Sequence, residues 1–449
     1  MNQTLIERYA APVPRYTSYP TAPHFHVGID ADVYAAWLSE IGANTALSLY
    51  FHVPFCDRLC WFCGCHTKQV RRYEPVAAYL ESLRLEIDLV SGHLHAQQPV
   101  SAIHFGGGSP SMIAADDIAK LRRRLDARFT ATPDCEISLE VDPNDINSEI
   151  LDGWAAFGVT RASFGVQDFD ETVQRAINRP QSFDRTRAAV DGFRTRGVSS
   201  INLDVLYGLP HQNAQTLART IEQVIALSPD RIALFGYAHV PWMKKHQRMI
   251  DASALPGITE RFELASLGAE MLESSGYVAI GIDHFARAGD SLAVKARSGQ
   301  VRRNFQGYTT DRAPVLIGLG ASAIGKLQQG YVQNLMPTAD YARSVQAGCL
   351  PVGRGIQLAP RDRVTAAAIE GLMCDFSFSL QELQSKAGGV TTDLAAVACA
   401  MKQEQDDGLV RFDGDRLEVL PAGRRFVRSI AARFDQYILQ SAARHSSAV

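Results

Sequence analysis

Between residues 45 and 286 short β-type runs alternate with segments of helical periodicity, the pattern of parallel strands joined by crossover helices. The strand runs fall at 46–53, 102–105, 137–141, 161–166, 201–207, 232–237 and 278–282. Val76, Leu80, Leu83, Ile87 and Val90 recur at helical spacing, as do Leu217, Ile221 and Val224, so each segment is expected to lay one face on a sheet. Gly158, Gly197 and Gly276 stand just before strands, where helices should end. About six βα units result. They fit a partial or full (β/α) barrel as well as an open sheet, and in both the functional end is the carboxyl end of the strands. Cys56, Gly106 to Gly108, Asp142, Gln167, Gly208 and His239 follow successive strands there.

After about residue 360 the pattern changes to helices and then two short strands around Asp413-Gly414-Asp415. Three regions are expected: an N-terminal arm and helix (1–44), a catalytic α/β region (45–358) and a smaller, mainly helical domain with a β-hairpin (359–449). A winged-helix likeness would suggest nucleic acid, but a net charge of −3 offers no global field for it or for an anionic membrane. The last domain is therefore expected to be structural or to cover the substrate. The opening residues lack the basic flank and apolar run of a signal peptide, and no later stretch reaches the apolar length of a membrane span. A soluble, cytoplasmic protein is expected.

Four of the eight cysteines, Cys56, Cys60, Cys63 and Cys65, fall within ten residues, while the rest are scattered singly. That is not a disulfide framework; it suits a reducing compartment and one cofactor site. Cys56, Cys60 and Cys63 form C-x3-C-x2-C directly after a strand. Thiolates suit iron-sulfur clusters, and three of them leave one iron of a [4Fe-4S] cube open for chemistry. A structural zinc site is the bland alternative, but no second Cys or His pair completes one. An electron carrier would need a fourth thiolate and no barrel.

With Phe62 between the last two thiols, the loop resembles the radical S-adenosylmethionine (SAM) signature. The resemblance implies a partial (β/α)6 barrel, SAM chelated to the open iron, and a 5′-deoxyadenosyl radical released on one-electron reduction. Gly106-Gly107-Gly108 fits the segment that meets the methionine amino group, where glycine lets backbone approach closely. RYTSYPTA (15–22), YFHVPFC, FCGC, HFGGGSPS, EVDP, FGVQDF, NRP, YGLP, YAHVP and RNFQGYTT are similar, more closely, to the oxygen-independent coproporphyrinogen III oxidases.

That resemblance implies oxidative decarboxylation of the ring A and B propionates of coproporphyrinogen III to vinyls, giving protoporphyrinogen IX, with two SAM molecules. It implies SAM contacts at Tyr50, Phe62, Gly64, Gly107, Gly108, Ser109, Glu140, Gln167, Arg179, Asp204, Ala238 and Ile324, the last two beside the second SAM. Ser109 stands where relatives often have Thr, and both keep a hydroxyl. A flavodoxin or ferredoxin is the expected reductant, and a monomer the expected state. Cys65 is expected beside the pocket mouth, and Arg15, in an arm folded across the barrel, is the local cation for a propionate. A haem-trafficking relative without oxidase activity is the alternative. Such relatives typically lack both the fourth cysteine and the arm present here.

Overall fold

The computed structural model describes residues 3–438, apart from 96, 387, 389 and 391. Strands β1 (Leu47–Val53), β2 (Pro99–Gly107), β3 (Thr130–Val141), β4 (Arg161–Gln167), β5 (Ser200–Tyr207) and β6 (Arg231–Gly236) lie side by side in chain order, each parallel to the next. Leu47, Leu49, Phe51 and Val53 on one face of β1 and Ser48 and His52 on the other are buried, as a strand covered on both faces requires. Both helical stripes face the sheet: Val76, Leu80, Leu83, Ile87 and Val90 in Glu74–Gly92, and Leu217, Ile221 and Val224 in Ala214–Ala226 are buried. Gly158 ends its helix in the left-handed conformation (φ 95°), the cap for which glycine carries no Cβ penalty.

The last expected strand departs from the pattern. Strand β7 (Tyr277–Ile280) turns back through residues 281–283 into β8 (His284–Arg287), which runs antiparallel to β6. Three residues form a hairpin; a parallel return needs a crossover of a dozen or more. On the other flank β9 (Val315–Leu319), which the sequence pattern did not single out, lies parallel beside β1. Strands β10 (Ile324–Lys326), β11 (Gly330–Asn334) and β12 (Val352–Gln357) continue antiparallel from it, so the sheet is open, in the order 12-11-10-9-1-2-3-4-5-6-8-7.

Open does not mean flat. Arg15 reaches the carbonyl of Gly236 on β6, while Tyr16 to Tyr19 line a cavity with Leu316, Lys326 and Tyr331 on β9 to β11. In a flat sheet β6 and β11 would be about 38 Å apart, at ~4.8 Å per strand. Five arm residues span at most about 18 Å. The sheet therefore curls, and the arm crosses its open side.

The arm is not a separate strap. Ile6, Tyr9, Val13, Tyr16 and Tyr19 share a second hydrophobic core with Leu372, Leu409, Phe426 and Ile430, whereas Tyr34, Trp37 and Leu38 of helix Ala31–Ser39 join the main core. Arg428 fixes this union by donating from Nε to the carbonyl of Pro14 (3.1 Å) and from Nη2 to that of Val13 (2.5 Å). The C-terminal unit contains the expected hairpin, Val410–Phe412 and Arg416–Val419, with a third strand, Ser377–Ser379, paired to it. No helix among the described residues is long and apolar enough to cross a membrane.

Candidate active site

The loop after β1 carries the thiols. Its backbone is held from elsewhere: Asn178 Nδ2 donates to the carbonyl of Leu59 (2.9 Å), Gln247 Nε2 to Phe62 (2.9 Å), His246 Nε2 to Cys63 (2.8 Å) and Lys244 Nζ to Cys65 (2.9 Å). All four cysteines are free of disulfides. Burial raises the Cys56 thiol, and the charges of Cys63 and Cys60 raise it further. Burial also raises Cys60, against the pull of Arg179, whose Nη1 lies 3.6 Å from its sulfur. A hydrogen bond from Cys65 is the largest influence on Cys63 and holds its thiol below the usual range. Three mutually sensed thiols on one short loop, one already biased to thiolate, fit an iron-sulfur cluster as a donor set.

Arg179 joins the loop to the strand ends. The same Nη1 meets Asp142 Oδ2 at 2.6 Å, and Nη2 donates to the carbonyl of Gly165 (2.9 Å). Ser109, by contrast, is buried with its hydroxyl bonded to Ser111 and to Asp145. It shapes this loop from within. Burial next to Asp142 pushes the Asp145 carboxyl up to about 7.

The glycine run has steric causes inside the protein. A Cβ on Gly106 would lie 2.5 Å from Glu140 Oε1, and one on Gly107 (φ 113°) would lie 2.6 Å from the His52 ring. The amides are engaged as well: Gly107 donates to Glu140 Oε2 (3.0 Å), Gly108 to Val53 (2.8 Å) and Ser109 to Phe55 (2.7 Å). These three amides are therefore spent inside the protein.

Behind the glycines, burial pushes Glu140 up, but hydrogen bonds from His104 Nε2 (3.1 Å) and the Gly107 amide outweigh it and keep the carboxylate ionised. Asp204 accepts from Asn202 Nδ2 (2.7 Å) and Ser163 Oγ (3.3 Å); burial and the charge of Glu140 raise its carboxyl to about 6. Burial lowers His52 to about 4, so its ring is neutral. Its Nε2 donates to the His66 carbonyl (2.9 Å), which leaves Nδ1 to accept from Tyr50 Oη (3.0 Å). Tyr50 also stacks on His104 at 5.7 Å. Gln167 sits at a register break at the end of β4 with φ 67°, a left-handed backbone rare outside glycine.

Phe62 and Ala238, 176 positions apart in sequence, are tied together by fully buried Gln247, whose Nε2 also reaches the Ala238 carbonyl at 3.2 Å. Gly64 is exposed at the loop tip. Ala238 and Arg15 line one cavity of about 390 Å³. Ile324 does not; it packs on β10 beside Phe25 and Tyr331, beyond the arm. Cys65 and Arg15 are both solvent-accessible yet enclosed by protein, and Arg15 lies within reach of the Cys65 charge. His52, His104, Gln247 and Asp142 went unassigned from sequence. Each sits within or beside a quoted motif or the loop after YAHVP, but only the fold supplies its partner.

A family model described as the radical SAM superfamily matches residues 50–224. A relative from Bradyrhizobium diazoefficiens, named oxygen-independent coproporphyrinogen III oxidase, is 48% identical over 437 residues, 97% of each chain. One of the same name from Paracoccus denitrificans is 44% identical, covering 100% of this chain and 99% of its own. The solved structure of coproporphyrinogen III oxidase from Escherichia coli, described as a radical SAM enzyme, superposes with a TM-score of 0.91 at 36% identity, covering 97% of this chain and 99% of that one.

Proposed function

The chain belongs to the oxygen-independent coproporphyrinogen III oxidase family, and from that premise we propose that its interior carries out the decarboxylation of two propionates of coproporphyrinogen III to vinyl groups, giving protoporphyrinogen IX in anaerobic haem synthesis. Cys56, Cys60 and Cys63 hold a [4Fe-4S] cluster that leaves one iron for SAM. When bound, cluster and SAM supply a carbon radical able to take a hydrogen atom from the propionate chain. Each propionate then loses that hydrogen, carbon dioxide and one further electron, which passes to an external one-electron acceptor.

The protein's part is placement. The carbonyls of the glycine run accept from the SAM amino group, Arg179 is a cation for its carboxylate, and Glu140 and Asp204 accept from ribose hydroxyls. Tyr50, Phe62, Gly64, Gln167 and Ala238 complete the walls, and a second SAM extends the site towards Ile324. Arg15 contacts a substrate carboxylate, and Cys65 lies between it and the cluster. Exposed Lys245 and Arg248, on the segment that holds the cysteine loop, suit an acidic one-electron donor such as a flavodoxin or ferredoxin. The protein acts as a cytoplasmic monomer.

The observation that carries this reading is the junction that Arg179 makes between Cys60 of the thiol loop and Asp142 and Gly165 at the ends of the parallel strands. The test is an anaerobic assay of reconstituted protein with SAM, a reductant and coproporphyrinogen III, scored for protoporphyrinogen and 5′-deoxyadenosine. Both products are expected; 5′-deoxyadenosine without protoporphyrinogen would keep the radical chemistry and discard the substrate.

A further inference from the structure

The cavity that holds Arg15 has an unusual wall. Six arginines line it, drawn from three parts of the chain: Arg15 from the arm, Arg261 and Arg303 from the barrel, and Arg424, Arg425 and Arg428 from the C-terminal unit. Against them stand Asp283, within the cavity, and Glu270 and Glu273, both exposed. Asp283 is already engaged, 2.6 Å from His284 Nδ1 and 3.8 Å from Arg303 Nη1. Two of the arginines serve the fold, since Arg428 anchors the arm and Arg425 Nη1 bonds Ser266 Oγ (2.5 Å) and the Phe262 carbonyl.

The others hold charge towards the space. Arg15 donates from Nη2 to Gly236 (3.1 Å), a neutral acceptor that leaves its guanidinium charge in place, while Arg261 is tied through Nη2 to the Tyr237 carbonyl (2.7 Å). Arg303 Nε and Nη1 are buried without a hydrogen-bond partner among the described residues, its guanidinium 4.5 Å over the Tyr308 ring. Arg424 makes no ion pair among the described residues and rests 4.8 Å over Phe376. Burial, followed by the repulsion of Arg15, lowers Arg428 to about 9, and Arg15 in turn is lowered by burial and by Arg303. Guanidinium groups gathered in a partly desolvated space repel one another, and a multiply charged anion relieves that repulsion.

We propose that this cavity is the carboxylate-reading subsite for the substrate: Arg15, Arg303 and Arg424 hold the propionates that are not reacting while another is presented at the Cys65 end. The assignment rests on the oxidase reading above. It makes the C-terminal unit part of the binding site, because Arg424 comes from the helical turn Pro421–Phe426 that follows the hairpin. It also gives the site a way to favour substrate over product, since turnover removes two of the four carboxylates that the wall can read. Planar, bidentate guanidinium groups are suited to this task.

The test uses the reconstituted full chain and two porphyrins that bind without reacting, coproporphyrin III with four carboxylates and mesoporphyrin IX with two, titrated by fluorescence. Arg424→Gln and Arg15→Gln are expected to weaken coproporphyrin binding about tenfold each, the scale of one charged hydrogen-bonded pair, and mesoporphyrin binding less. Arg424→Lys should recover part of the loss. Iron content should be unchanged in Arg424→Gln, and its porphyrinogen KM should rise by a larger factor than kcat at saturation falls. Equal affinities for both porphyrins in the wild type, or an Arg424→Gln protein that binds both as the wild type does, would overturn the subsite and leave the oxidase reading standing. A wild type that binds coproporphyrin III but makes no protoporphyrinogen would instead overturn the oxidase reading on which the subsite depends.

Discussion

The cysteine loop and the arginine cavity are neighbouring charged regions built in opposite ways. The loop concentrates its chemistry in residues 56–65, and the rest of the protein only steadies its backbone, through Asn178, Lys244, His246 and Gln247. The cavity has no local precursor: its arginines are as far apart as residues 15 and 428 and meet because the arm packs into the C-terminal core. A local site is limited by which residues occupy it. An assembled site is limited by the packing that brings its parts together.

The sharpest break in that contrast should come from the loop. Cys56→Ala, Cys60→Ala and Cys63→Ala are each expected to abolish the brown iron-sulfur chromophore and all turnover, read by iron analysis and absorbance, while the fold survives by circular dichroism. Iron kept in Cys63→Ala but lost in Cys65→Ala would move the ligand set.

A second assembled polar site tests the other side of the contrast. Glu86, fully buried, accepts from the Gly320 amide (2.6 Å), Asn334 Nδ2 (2.6 Å) and Tyr341 Oη (2.6 Å), tying its helix to segments more than 230 residues away. Burial raises its carboxyl from 4.5 to about 7. The folded state therefore holds this proton more tightly than the unfolded one, so the contribution is whole below about pH 4.5 and is lost as pH rises through 7. The stability advantage of wild type over Glu86→Gln should fall by about 3 kcal/mol between pH 4.5 and 8, measured by denaturant unfolding. A difference that does not vary with pH would mean that Glu86 does not titrate in this window.

A smaller effect is expected where local and assembled elements meet. Asp204→Asn and Glu140→Gln should raise the SAM concentration needed for half-maximal cleavage by about tenfold with iron content unchanged. Unchanged SAM dependence in both would return the two carboxylates to a structural role. Smallest of all, Cys65→Ala should alter iron content little, because its influence reaches the cluster ligands only through the hydrogen bond to Cys63.

Much of the barrel was legible because its causes are local. Short β-type runs separated by helical segments made β1 to β6 readable, and the 3.6-residue stripes of Glu74–Gly92 and Ala214–Ala226 named the helix faces that reach the core. Strand β9 was not legible: a five-residue apolar run carries no periodicity that separates a buried strand from a buried helix turn. Glu86 lies in a helix whose apolar stripe was recognised, yet its burial depends on donors from Gly320, Asn334 and Tyr341.

The sequence by itself determined the C-x3-C-x2-C spacing and the succession of strands and helices, because these follow from covalent spacing and short-range periodicity. Tertiary structure alone decided that the sheet curls rather than lies flat, that the arm belongs to the C-terminal core, and that arginines from both ends of the chain share one cavity. Those outcomes depend on which apolar surfaces are buried together across hundreds of residues, and long-range packing leaves no periodic mark in the segments it joins.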